Sequence, residues 1–103
     1  MNSAVTANFQ GADLKLELHA TRLDAATARR IREELSAIWK PDVGDVTVDL
    51  SQVEFIDSSG MGALLSIHRR LPEKHSSVRL VNVRPAVQSV LELVRLHRVF
   101  DLA

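Results

Sequence analysis

No cysteine occurs among the 103 residues, which removes disulfides, thiolate metal sites and thiol nucleophiles together. Net charge is missing too. Thirteen basic and thirteen acidic side chains cancel, so no global field draws in nucleic acid or an acidic membrane surface. No apolar run approaches the roughly 18 residues that cross a bilayer. The opening Met1-Asn2-Ser3-Ala4-Val5-Thr6 has neither the basic n-region nor the apolar core of a signal peptide. These absences point to the cytoplasm and exclude membrane insertion. Phosphate-cradling motifs are absent as well: Gly60-Met61-Gly62 stands alone, outside any G-x-x-x-x-G-K-[ST] or G-x-G-x-x-G pattern. What remains is 46% hydrophobic and 25% charged, the balance of a globular protein. Its length suits one domain, residues 1–103.

Two runs of period 2 come first. Val5, Ala7 and Phe9 alternate with other residues, Gln10-Gly11-Ala12-Asp13 supplies turn chemistry, and Leu14, Leu16 and Leu18 alternate with Lys15, Glu17 and His19. This predicts a β-hairpin with one buried face. Asp24 then caps a predicted helix running to about Trp39. Ala28, Ile31, Leu35, Ile38 and Trp39 form its apolar face, Arg29, Arg30, Arg32, Glu33 and Glu34 cover the rest as a solvated face, and Arg30 and Glu34 are spaced as a helix-surface pair. Pro41 stops that helix. Val46 to Leu50 reads as a strand, and the apolar-periodic segment Met61 to Leu71, closed by Pro72, reads as a second helix. His68 falls at the edge of its apolar side, where it reads as a hydrogen-bonded boundary residue. After a polar loop, Pro72 to Ser77, Val78 to Val83 is apolar on both faces, as an interior strand requires. Pro85 fits the first turn of a third helix, with Val87, Val90, Leu91 and Val94 as its buried stripe. Val99 to Leu102 is predicted to tuck back onto the core. The order β-β-α-β-α-β-α implies an α/β fold, a mixed sheet with crossover helices.

Asp57-Ser58-Ser59-Gly60-Met61-Gly62 lies where a strand region hands over to the second helix. A helix cap accounts for Asp57 or Ser58, with close packing for Gly60 and Gly62. Yet a cap needs one hydroxyl, and glycines in a first turn cost about 1 kcal/mol each relative to alanine. A serine hydrolase is disfavoured because no glycine precedes Ser58 closely, so the G-x-S-x-G elbow is absent. His68 lies on the same helix and nothing singles out His19, His75 or His97 as a base, and no second His or acid is placed by sequence to share a metal with His68. Asp49 and Asp57 offer an acid–base or Mg²⁺ pair, although each residue more often ends a strand or caps a turn. The remaining reading is regulatory: phosphate on Ser58 adds about −1.5 to −2 charges beside Asp57. The start of a helix tolerates that anion, whereas a partner docked there does not.

The run Val48-Asp49-Leu50-Ser51 through Phe55-Ile56-Asp57-Ser58-Ser59-Gly60-Met61-Gly62-Ala63-Leu64-Leu65 resembles the STAS domain family, specifically bacterial anti-sigma factor antagonists. The similarity extends to Leu23-Asp24-Ala25-Ala26-Thr27 and to Val81-Asn82-Val83 with Pro85-Ala86-Val87. The resemblance implies a compact α/β binding module without catalysis, cofactor or metal. It binds an anti-sigma factor that is also a serine kinase and so frees a sigma factor. The kinase would phosphorylate the first serine, Ser58 (with Ser59 as second candidate), and a PP2C-type phosphatase would reverse this. ATP and Mg²⁺ belong to the kinase. Asp24, Thr27, Asp57, Ser58, Ser59, Gly60, Met61 and Gly62 would form the partner surface, with Gly60 and Gly62 leaving room for approach. Many relatives carry Gly and an acid where this chain has Thr21 and Arg22, which suggests a different partner. The alternative is a non-switching STAS subunit of a lipid-transport complex or signalling scaffold.

Overall fold

The computed structural model describes residues 3–71, 78–96 and 100–102. The hairpin forms as the alternation requires: β1 (Val5–Gln10) pairs antiparallel with β2 (Asp13–Leu18). Gly11, at φ +63°, opens the two-residue turn between them, a backbone region where a Cβ is costly. β2 pairs in parallel with β4 (Val46–Asp49), which pairs in parallel with β6 (Val78–Val81). The sheet is closed by β7 (Asp101–Leu102), parallel to β6, giving the order β1-β2-β4-β6-β7. β6 is therefore interior in strand order, as expected, while only its Val78 and Leu80 face is buried.

From β2 onward each parallel crossover steps the same way across the sheet. Right-handed crossovers that step one way must lay their helices on one face. The burial pattern agrees. Leu14, Leu16, Leu18, Val46, Val48, Val78 and Leu80 are buried, while Lys15, Glu17, Thr47, Asp49, Arg79 and Val81 are exposed or half-buried on the other face. The covered face packs against α1 (Ala25–Ile38), α2 (Ser58–Arg70) and α3 (Pro85–Leu93), through Ile31 and Leu35, Leu64 and Ile67, and Val87 and Leu91.

Three short strands lie outside the predicted order. β7 is one; the others are β3 (Arg22–Leu23) and β5 (Phe55–Ile56), which pair with each other as a separate two-stranded parallel sheet. Two residues are too few to show a period, so no pattern marks them. Phe100 is buried, so the tail does return to the core; Val99 lies outside the described residues, as do the loop from Pro72 to Ser77, His75 and His97. Glu34 has a use beyond its own helix, and one further expectation, for His68, changes. Glu34 spans from α1 to β1, its carboxylate accepting the Ala4 and Val5 N–H groups at 2.9 and 3.1 Å. It thereby satisfies edge-strand donors, a use that spacing along one helix does not reveal. His68 is exposed and meets the Phe100 ring edge-on, with centroids 6.3 Å apart. Among the described residues, that ring contact takes the place of the expected hydrogen bond.

Candidate functional site

The central stretch begins at the end of β5. Asp57 is the cap of α2, and its Oδ1 accepts the Gly60 N–H at 3.0 Å. A carboxylate here satisfies a donor that the helix leaves unpaired and favours its positive end. With Asp57 as the cap, neither serine is needed for that purpose. Ser58 is the first residue of α2 and exposed, and Ser59 is half-buried.

The same unit occurs at α1. Asp24 follows β3, takes the same extended conformation as Asp57, and accepts the Thr27 N–H on Oδ1 at 3.2 Å. Because Leu23 pairs with Ile56, and the Asp57 N–H donates to the Leu23 carbonyl at 3.3 Å, the two caps stand side by side. Exposed Ala25 and Ala26 open α1 as Ser58 and Ser59 open α2. The result is a low surface of small side chains over two helix starts. Thr27 and Met61 are half-buried at its base, and Met61 packs on the core.

The two glycines have different reasons. Gly60 is buried, and a Cβ there would run into the Leu23 carbonyl, with Leu23 Cγ at 2.8 Å and Ile56 Cγ1 at 2.9 Å. Its smallness lets α2 sit down on the β3–β5 pair, in place of the expected opening toward a partner. Gly62 is half-buried and faces α1, where a Cβ would lie 3.2 Å from Arg32 Nη2. Beside this surface, Arg22 stacks over the exposed Phe55 ring at 4.1 Å and lies 3.8 Å from Asp24 Oδ2. Thr21 contributes through its backbone, its carbonyl accepting the N–H groups of Glu54 and Phe55.

The other candidates are not brought here. Asp49 is on the open sheet face, its Oδ1 accepting the Ser51 N–H at 2.8 Å and its Oδ2 the Asn82 amide at 3.3 Å. Burial alone would raise its pKa, but the Ser51 and Asn82 donors and the Lys15 charge outweigh that and hold it below the ordinary carboxylate value. Asp49 and Asp57 are thus spent on separate structural bonds. His19 is held between the Thr6 hydroxyl at 2.6 Å and the Gln52 amide at 3.1 Å. Among the described residues no group of three His, Asp or Glu could hold a metal ion, and no helix is long and apolar enough to cross a membrane. An open depression of about 800 Å³ on the uncovered sheet face is lined by Asn8, Lys15, Thr47 and Arg79 among others and includes none of the Asp57–Gly62 residues.

Sequence reasoning missed three features of this site: the pairing of β3 with β5, the stacking of Arg22 on Phe55, and the reach of Arg32 to Gly62. The repeated pattern of apolar residue, Asp and two small residues at 23–26 and 56–59 is the one signal that could have pointed to twin caps.

Comparison with known proteins agrees with the architecture. The family model described as "Mlab, STAS domain" matches residues 5–102. An anti-sigma F factor antagonist of Paenibacillus polymyxa is 25% identical over 81 residues, covering 78% of this chain and 69% of that protein. Among solved structures, an anti-sigma-factor antagonist (STAS) domain protein from Planctomyces limnophilus superposes with a TM-score of 0.84 at 20% identity, covering 100% of this chain and 91% of the other. The phosphorylated form of the Bacillus cell-fate determinant SpoIIAA gives a TM-score of 0.70 at 24% identity, covering 97% and 91%.

Proposed function

This chain belongs to the STAS domain family, and from that membership we propose that it is an anti-sigma factor antagonist gated by phosphorylation. It acts in the cytoplasm as a binding module, not as an enzyme. Its partner is an anti-sigma factor with serine-kinase activity, whose capture frees a sigma factor. The phosphoacceptor is Ser58, and a PP2C-type phosphatase restores the binding form.

One observation carries the reading: Ser58 is exposed and its hydroxyl makes no hydrogen bond among the described residues, because Asp57 already caps α2. The surrounding surface of small residues gives a kinase access. It also offers a docking face that about two added negative charges would wet and repel. Asp24 and Thr27 lie on that face beside Asp57, Ser59, Met61 and Gly62.

The experiment is to capture the kinase from native cell extract on the purified protein, add ATP and Mg²⁺, and map the modified peptide. Phosphate on Ser58 supports the proposal. Phosphate only on Ser59 or elsewhere moves the switch away from it.

The matched family model is described by Mlab and not by the antagonists, and that favours a second reading: a non-switching subunit of a lipid-transport complex or signalling scaffold. Such a subunit would bind its partner equally well with Ser58 replaced by Asp.

A further inference from the structure

Arg32 is exposed on α1 and, among the described residues, makes no ion pair or hydrogen bond. Its guanidinium is nevertheless directed. It lies across α2 over Gly62, so close that a Cβ there would be 3.2 Å from Nη2. Arg32 is eight residues beyond the α1 cap, whereas Gly62 is five beyond the α2 cap. The side chain therefore leans back about three residues, roughly 4.5 Å of helix rise, toward the helix starts. Gly62 is four residues after Ser58, and positions four apart share a helix face with Cβ atoms about 5–6 Å apart. A cation with no ion-pair partner among the described residues thus rests one turn from the exposed Ser58 hydroxyl, with glycine at a position where a Cβ would crowd it.

We propose that Arg32 receives the phosphate of phosphorylated Ser58 in an ion pair that bridges α1 and α2. The planar fork of a guanidinium matches two phosphate oxygens, and such charge-assisted bonds are the strong ones. The modification then does more than add charge. It draws the cation of α1 onto α2 and fixes it there, so both helix starts change their surface in one step. The groups facing the phosphate work in opposite directions: the Asp57 carboxylate beside it disfavours the dianion, and Arg32 favours it.

The inference rests on Ser58 being the modified residue, and the test separates the two. Phosphoserine is installed at position 58 by genetic encoding, so no kinase is needed, and the second phosphate ionisation is followed by ³¹P NMR in the intact protein. The pair predicts that Arg32→Gln raises this pKa by about 0.5 to 1 unit. Arg32→Lys, which keeps the charge and loses the fork, retains part of the effect. Lys15→Gln, on the opposite face of the sheet, leaves the value unchanged. Equal values in the parent and in Arg32→Gln would overturn the pair, as would an equal rise in Lys15→Gln. Either outcome leaves Ser58 phosphorylation standing, whereas a kinase that ignores Ser58 defeats the functional reading without touching the pair.

Discussion

Asp24 and Asp57 stand at the ends of two paired parallel strands, and each caps the helix that follows by the same bond to the N–H three residues on. The surface proposed for partner binding is built on this pair of caps. Loss of either cap should loosen one helix start. Asp24→Ala and Asp57→Ala are each expected to cost about 1 kcal/mol, within a range of roughly 0.5–2. For a domain of this size that is a fall in melting temperature of about 4–8 °C per kcal/mol. The corresponding Asn variants keep an acceptor oxygen and should melt close to the parent. Thermal unfolding of the four proteins checks this.

Gly60→Ala opposes two effects whose sizes decide the outcome. Helix propensity alone would favour Ala by about 1 kcal/mol. The new methyl, however, meets the Leu23 carbonyl, a backbone atom that cannot rotate away, as well as Leu23 Cγ and Ile56 Cγ1. Overpacking of this kind typically costs 1–3 kcal/mol, and here it also prises α2 from β3. The expected result is a net loss of stability in denaturant titration, with amide exchange at the Asp57 N–H faster than in the parent. A stabilised Gly60→Ala would contradict the packing described.

Asp49 sets a pH dependence of known sign. Its folded-state pKa is depressed, so it contributes stability that is present above the unfolded carboxyl value of about 3.9. That contribution is lost as pH falls through the lower, folded-state value. Asp49→Asn should therefore be less stable than the parent near neutral pH, and the difference should shrink below about pH 4. Denaturant midpoints measured for both proteins across the acid range give the comparison.

The long elements were legible because burial forces a period on them. Leu14, Leu16 and Leu18 on β2, and Ala28, Ile31 and Leu35 on α1, can hardly be arranged otherwise. The central acid, serines and glycines were legible as a site because one cap does not need so many small residues. What escaped was whatever depends on chain meeting chain at long range. Leu23 and Ile56 pair across 33 residues through strands too short to carry a pattern. The partner of Gly60 is a backbone carbonyl, which no side-chain identity records. Nor does any spacing say that Arg32, read along α1 as one of several solvated cations, reaches the neighbouring helix. The physics of these contacts is ordinary; their addresses come only from the fold.

Charge at Ser58 is proposed to control partner binding without altering the fold. The direct measurement is recovery of the anti-sigma kinase from native extract by immobilised parent, Ser58→Ala and Ser58→Asp proteins, with their melting temperatures taken alongside. Parent and Ser58→Ala should retain the kinase. Ser58→Asp should lose it, by about a hundredfold in affinity if the added charge is worth about 2.7 kcal/mol, while all three melt together. Equal recovery by Ser58→Asp would rule out a charge switch at this residue.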